Sequence, residues 1–290
     1  MFRALLETLR PRQWTKNLVI FAGLIFDGQF NQINPFLRVL AATILFCLVS
    51  GITYTINDLL DLEADRLHPN KSKRPLASGR LSRAQAIVWI IILTVIVLVC
   101  GYLLSPYLVL VFVVYTLLML AYSLWLKQVM ILDVMVIASG FVLRVLVGLS
   151  VISVHYFSPW LFVLTTLLAM YLGFGKRLAE LRLLESDASS HRKTLEGYNV
   201  PLLTQYITII LTAILITYTL YTFSASPDQP TPAMMLTIPF VIYGIFRYLY
   251  LIQSDLITGA PEEVLLKDRP MQITIGLWVL SVMAVLYLIL

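Results

Sequence analysis

Charge is what this 290-residue sequence has least of: Asp, Glu, Lys and Arg together make up 13% of it, against about a quarter in an ordinary soluble domain. Set beside 59% hydrophobic residues and a mean hydropathy of +0.87, that scarcity excludes a water-soluble helical globule, whose helices would each need a polar outer face. Cysteine is nearly absent as well. Cys47 and Cys100 both sit inside apolar runs, without metal-ligand spacing, so neither a disulfide framework nor a zinc site is expected and packing accounts for both. No linker, low-complexity tract or soluble domain interrupts the chain, and residues 1–290 read as a single polytopic membrane domain. The basic start, residues 1–12, leads into no small-residue cleavage site, so the first apolar run reads as a retained span. A basic stripe interleaved with aromatics is missing too, and nucleic acid is not an expected partner.

Apolar runs are what the sequence has in quantity. Stretches 17–33, 36–58, 84–104, 106–126, 130–152, 158–178, 202–223, 232–252 and 271–290 approach the roughly 20 residues needed to cross a bilayer core, which predicts an all-α bundle of about nine spans. Gly23, Asp27 and Gly28 shorten the first. With the N-terminus inside, all of the 21 Lys and Arg residues except Arg38 and Arg144 fall in or beside the cytoplasmic segments. The opposite loops, around 104–106, 153–157 and 224–231, carry none. This asymmetry follows the positive-inside rule and predicts a multi-pass protein, in the cell membrane, with a cytoplasmic N-terminus. The net charge of +5 is explained by the same topology. Trp14, Tyr122, Trp125 and Trp160 lie near span ends, as interfacial aromatic belts do.

Acids gather where the second span meets the first large cytoplasmic loop, 59–83. At about 100° per residue, Asn57, Asp58, Asp61 and Asp65 fall on one helix face while Glu63 points away. Like charges four apart repel, and acids at a helix C-terminus oppose its dipole, so the pattern predicts a compensating cation. An all-oxygen ligand set suits a hard ion such as Mg²⁺. The loop continues Asn70-Lys71-Ser72-Lys73-Arg74-Pro75-Leu76-Ala77-Ser78-Gly79-Arg80, placing bases beside the acids as a metal-bridged diphosphate requires. His68 is either a further phosphate contact or an inert loop histidine. Arg144, deep in the fifth span, either anchors the bundle or lines the cavity.

The Asn-Asp-x-x-Asp-x-x-x-Asp element followed by Asn-Lys-x-x-Arg-Pro-Leu-x-Ser-Gly resembles the UbiA superfamily of intramembrane prenyltransferases, over essentially the whole chain. The resemblance implies a nine-helix bundle, a cytoplasm-facing site open to lipid, and Mg²⁺ and diphosphate held by Asn57, Asp58, Asp61 and Asp65. Most of that superfamily carries a second acidic motif, Asp-x-x-x-Asp, after the sixth span. Here that place reads Gly173-Phe174-Gly175-Lys176-Arg177-Leu178-Ala179-Glu180-Leu181-Arg182, which is basic with Glu180 as its one in-register acid. Bases in place of acids suit a ligand with additional phosphates. Together with Arg10-Pro11-Arg12-Gln13-Trp14-Thr15-Lys16-Asn17, the fifth-span pair Asp133 and Arg144, and Glu262-Glu263-Val264-Leu265-Leu266-Lys267-Asp268-Arg269-Pro270, it resembles the decaprenyl-phosphate phosphoribosyltransferase branch.

That branch moves 5-phosphoribose from phosphoribosyl diphosphate to a polyprenyl phosphate for cell-envelope glycan synthesis. The resemblance therefore implies catalysis around Asp58, Asp61 and Asp65, with Lys16, Lys71, Arg74, Lys176 and Arg177 binding diphosphate, phosphoribosyl or lipid phosphate groups. Asp133 would contact ribose or metal, or serve as a helix N-terminal acid; Arg12 is a secondary candidate. The site would lie between loops 59–83 and 179–201. Partners expected are phosphoribosyl diphosphate, a polyprenyl phosphate and membrane lipids, with homo-oligomerisation open. The alternative enzyme is an ordinary prenyltransferase acting on an aromatic or glycerol-phosphate acceptor. A transporter would need polar residues spread through broken spans, and Arg144 stands almost alone in mid-membrane.

Overall fold

The computed structural model describes residues 2–155, 159–186, 197–224, 232–253 and 267–289. Among them every regular element is helical. In chain order the longer ones are α1 (Phe2–Thr8), a 3₁₀ segment (Pro11–Ile20), α2 (Phe21–Phe26), α3 (Ile33–Leu60), α4 (Leu62–Leu67), α5 (Arg83–Leu104), α6 (Pro106–Leu124), α7 (Leu132–Leu149), α8 (Pro159–Ser186), α9 (Val200–Ser224), a further 3₁₀ segment (Pro232–Thr237), α10 (Ile238–Gln253) and α11 (Arg269–Ala284). The chain groups into two compact units, one of residues 1–125 and 143–155, the other of residues 126–142 and 156–290.

Local chemistry sets the helix limits. Ser82 and Gln85 form a reciprocal capping box that starts α5 after the basic loop, Pro106 opens α6, and Asp268 accepts the Met271 N–H to start α11. In the first unit α3 is central. Two-thirds (67%) of its most apolar window is buried, against 17% for α5, so α3 packs inside and α5 offers its side chains outward. Leu9, Ile20, Val39, Phe46, Val97, Phe112 and Val147 close a core around it. Gly148 permits the tightest approach there, because a Cβ would meet the Ile20 carbonyl oxygen at 2.1 Å. In the second unit α8 packs along α9, around Val134, Phe174, Leu203, Ile207, Tyr248 and Met271.

Eight helices are long and apolar enough to cross a membrane among the described residues. They match eight of the nine expected stretches. The expected first span, 17–33, is not a continuous α-helix: the chain winds as 3₁₀ from Pro11 to Ile20, continues for six residues as α2, and turns at Gly28 with φ 72°. The reason is polar. The Asp27 carboxylate is held by the His155 backbone N–H at 3.1 Å and by the Gln29 amide, so the chain must bend there.

Candidate functional site: an acid–base cluster at the end of α3

The last turn of α3 delivers Asn57 and Asp58. The helix then stops, with half-buried Asp61 at the C-cap donating its N–H to the Asn57 carbonyl at 2.9 Å. The single continuous helix face expected for Asn57, Asp58, Asp61 and Asp65 is thus interrupted. Asp65 comes from the separate helix α4, and a basic residue joins it to Asp58: Arg74 Nη1 donates to Asp58 Oδ1 at 3.0 Å and to Asp65 Oδ2 at 2.5 Å. Lys71 Nζ lies 3.5 Å from Asp65 Oδ1. Arg10 Nη2 donates to Asp58 Oδ1 at 2.5 Å while its guanidinium stacks 4.6 Å from the centre of the Tyr54 ring.

The loop that presents Arg74 is built to hold it. Leu76 and Leu81 bury against Leu62 and Ala86, the Ser78 N–H bonds the Arg74 carbonyl, and Gly79 supplies the left-handed turn at φ 76°. His68 spends Nδ1 on the Asn70 and Lys71 N–H groups, which shapes the loop from within. Glu63 pairs with Arg66 and Arg83 away from the cluster. Arg12 and Lys16 are exposed on the 3₁₀ segment.

One atom in this cluster is orphaned. Asn57 Oδ1 is buried and has no hydrogen-bond partner. With the carboxylates of Asp58 and Asp65 it makes a hard, all-oxygen donor set, which fits Mg²⁺ or Mn²⁺ and not a soft metal. No group of three or more His, Cys, Asp or Glu could hold a metal by itself among the described residues. Mg²⁺ commonly takes one or two carboxylates and completes its shell with water and substrate phosphates, so the set suits a metal shared with a ligand.

The second unit contains a different cluster. Asp133 is wholly buried; Oδ2 accepts from Arg177 Nε at 2.9 Å and Nη2 at 2.8 Å, and Oδ1 accepts from the Tyr198 hydroxyl at 3.3 Å. Arg177 Nη1 bonds Glu180 at 2.7 Å. Tyr198 Oη in turn accepts the N–H of Ile131, a β-branched residue held at φ 68°. Burial, reinforced by the Asp133 carboxylate, pushes the Tyr198 phenol up to about 12. Arg177, expected on phosphate, is therefore buried on two acids, and Asp133, expected on ribose or metal, is closed off by arginine and tyrosine. Lys176 beside them is exposed.

Arg144 belongs to the first unit and donates to Asn17 Oδ1 at 2.9 Å and to the Tyr115 hydroxyl at 3.2 Å, with the Phe46 and Tyr115 rings each 5.2 Å away. At the other end of α3 a cavity of about 440 Å³ is lined by Gln29, Asn34, Arg38, Ser150 and Ser153. There Arg38 donates to the Val151 and Leu104 carbonyls, tying down the ends of neighbouring elements. Of the 179–201 loop, residues 187–196 lie outside the described residues, as do Glu262, Glu263 and the others up to 266. The residues that sequence reasoning passed over are Arg10, Tyr54 and Tyr198.

Residues 18–257 match the model of the UbiA prenyltransferase family. The chain belongs to that family. It is 35% identical to a decaprenyl-phosphate phosphoribosyltransferase of Mycolicibacterium smegmatis, over 98% of this chain and 92% of the relative. It is 31% identical to a Corynebacterium glutamicum protein of the same description, over 98% and 87% of the two chains. The fold matches a UbiA homologue of Archaeoglobus fulgidus solved with GPP and Mg²⁺, with a TM-score of 0.70, 19% identity, and 98% and 99% coverage. This UbiA-family chain is thus a transferase and an integral, multi-pass membrane protein.

Proposed function

We propose that the protein transfers 5-phosphoribose from phosphoribosyl diphosphate to a polyprenyl phosphate of the decaprenyl-phosphate type, releasing diphosphate, at a Mg²⁺-dependent site on the cytoplasmic side of the cell membrane. One observation carries the reading beyond the relatives' descriptions: Arg10, Arg74 and Lys71 all converge on the carboxylates of Asp58 and Asp65. That concentration of bases fits a donor with a diphosphate and a third, separate phosphate better than one whose remainder is hydrocarbon. The inside location rests on the gathering of Lys and Arg on one side of the spans.

In this reading Asn57, Asp58, Asp61 and Asp65 hold the metal. A bound Mg²⁺ would stabilise negative charge on the departing diphosphate. Arg74 and Lys71 turn to the phosphate oxygens and orient C1 of the ribose toward the acceptor. An oxygen of the polyprenyl phosphate forms the new bond to C1 as the C1–O bond to diphosphate breaks. That nucleophile is already an anion, so no general base is needed. Lys16, exposed on the 3₁₀ segment, is assigned to the acceptor's headgroup, and Lys176 is a second candidate on its charge alone.

Purified protein incubated with Mg²⁺, a polyprenyl phosphate and ribose-labelled phosphoribosyl diphosphate should yield label extractable into organic solvent, and none when the lipid is omitted. If no lipid label forms while a prenyl diphosphate is consumed with an aromatic or glycerol-phosphate acceptor, the prenyltransferase alternative replaces this reading.

A further inference from the structure

The proposed site is already occupied by the chain's own cations, and the occupant with the most unusual backbone is Arg10. Its φ of 50° and ψ of 62° are left-handed, although it is neither glycine nor asparagine and stands directly before Pro11, where an extended conformation is normal. The chain is pinned on both sides of it. Leu9 is buried against Gly51 of α3, and the Trp14 indole N–H bonds the Leu9 carbonyl at 3.1 Å. The Arg10 backbone is hydrogen-bonded on both sides, its N–H to the Glu7 carbonyl at 3.2 Å and its carbonyl to the Gln13 N–H at 2.8 Å, and its side chain is fixed by Asp58 Oδ1 and the Tyr54 ring. Arg10 also lies outside the residues that match the family model, whereas Asp58 and Asp65 lie within them.

The charges argue in the same direction. Asp58 and Asp65 carry two negative charges, and Arg10, Arg74 and Lys71 carry three positive ones in direct contact with them. Counting Asp61 as well only brings the group to neutrality. A bare divalent cation entering this group must displace a guanidinium from Asp58 and then share the space with three cations, two of them partly buried. The same cation complexed to a diphosphate brings a net negative charge, and the freed guanidinium gains phosphate oxygens as partners.

We infer that Arg10 is a positioning residue that keeps Asp58 closed to free metal, so that the divalent ion enters together with the diphosphate group and not ahead of it. The inference rests on the metal–diphosphate reading given above, and it concerns the order of binding, which that reading leaves open.

The test is metal binding to the ligand-free full-length protein in detergent, with Mn²⁺ as the probe and free Mn²⁺ counted by its electron paramagnetic resonance signal. In the wild type, inorganic diphosphate should tighten Mn²⁺ binding by roughly tenfold or more, the size of an ordinary coupling between two ligands. Arg10→Ala should bind Mn²⁺ alone more tightly than the wild type does and lose most of that coupling. Arg10→Lys, which keeps the charge, should restore it, and a melting curve for each variant separates a binding effect from misfolding. Equal Mn²⁺ affinity with and without diphosphate in the wild type overturns the inference, as does unchanged affinity for Mn²⁺ alone in a folded Arg10→Ala protein. In both cases Mn²⁺ still binds and the functional reading stands. Absence of Mn²⁺ binding in every condition, diphosphate included, removes that reading and this inference together.

Discussion

Asp58 and Asp133 are both sealed from solvent, and both are paired with arginine, yet the two clusters are built for different ends. Asp58 shares Arg74 with Asp65 and takes Arg10 besides, and side chains of both arginines remain 28% exposed. Cations outnumber acids, the partners come from three separate pieces of chain, and Asn57 Oδ1 is left without a hydrogen bond. Asp133 instead receives two N–H groups from the single buried guanidinium of Arg177, whose remaining edge goes to Glu180, while Tyr198 closes the other oxygen. A partly exposed set in which three cations share two acids can exchange partners readily. A buried one in which a single guanidinium serves two carboxylates cannot, because removing it strands both.

The largest effect should come from the open cluster. Asp58→Asn or Asp65→Asn removes a metal-competent oxygen and should lower phosphoribosyl transfer by about 10²–10³-fold, the usual scale for losing one electrostatic contact to the departing charge. The fold should hold, since Arg10 and Arg74 keep part of their side chains in water. A folded variant of either kind with full activity would remove the cluster from the chemistry. In the closed cluster the order of effects reverses. Arg177→Met should destabilise the protein by about 3–5 kcal/mol through the uncompensated Asp133 carboxylate, and adding Asp133→Asn should recover most of the loss. If Arg177→Met melts normally but fails to bind phosphoribosyl diphosphate, then Arg177 is a ligand residue and the contrast between the clusters collapses.

Tyr198→Phe tests the same cluster at smaller scale. It leaves the Ile131 N–H without its acceptor and the left-handed turn at Ile131 without its support, for about 1–2 kcal/mol. The phenol also has a pH signature. Its pKa is raised to about 12, so the neutral form that donates to Asp133 is favoured by folding. That contribution is whole below the ordinary tyrosine value near 10 and is lost as pH climbs from there toward 12. An alkaline melting series should show the wild type losing stability over that interval and Tyr198→Phe losing less.

These contrasts were only partly legible in the sequence. Apolar length located eight helices able to span, and the expected starts at 84 and 106 lie within a residue of Arg83 and Pro106, where the helices begin. The stretch at 17–33 reads as one continuous span, whereas the chain there passes from 3₁₀ winding into α2, and Asp27 bends it through a contact with His155 far away in sequence. Helical geometry put Asp58 and Asp65 together and set Glu63 apart. The helix that geometry assumed stops at Asp61, and Arg74 does the joining. Residue type alone marked Arg177 as a phosphate ligand; its partner Asp133 lies 44 positions earlier in the chain, and only the fold could reveal it. Arg10 was passed over for a similar reason, since the left-handed backbone that aims it at Asp58 leaves no signature in the residue types around it.

The smallest of the expected effects separates acid sensitivity from catalysis. Asp268 caps α11 through the Met271 N–H at 2.9 Å and accepts from Arg247 Nη2 at 2.8 Å. The Arg247 hydrogen bonds, helped by the Met271 N–H, hold its carboxyl below the usual range. A lowered folded-state pKa means that the stabilising contribution is present above the ordinary aspartate value near 4 and fades as pH falls through the lower one. Asp268→Asn keeps a capping oxygen but loses the charge on Arg247, so at neutral pH it should cost about 1 kcal/mol or less. Its melting temperature should converge with that of the wild type as the medium is acidified. Asp58 sits among exchangeable cations and Asp268 serves as a fixed cap, so acid should affect them through different measurements. For Asp268→Asn the melting difference should shrink at low pH while transfer at neutral pH stays near wild type. A loss of transfer at neutral pH with unchanged melting would instead make the start of α11 part of the reaction.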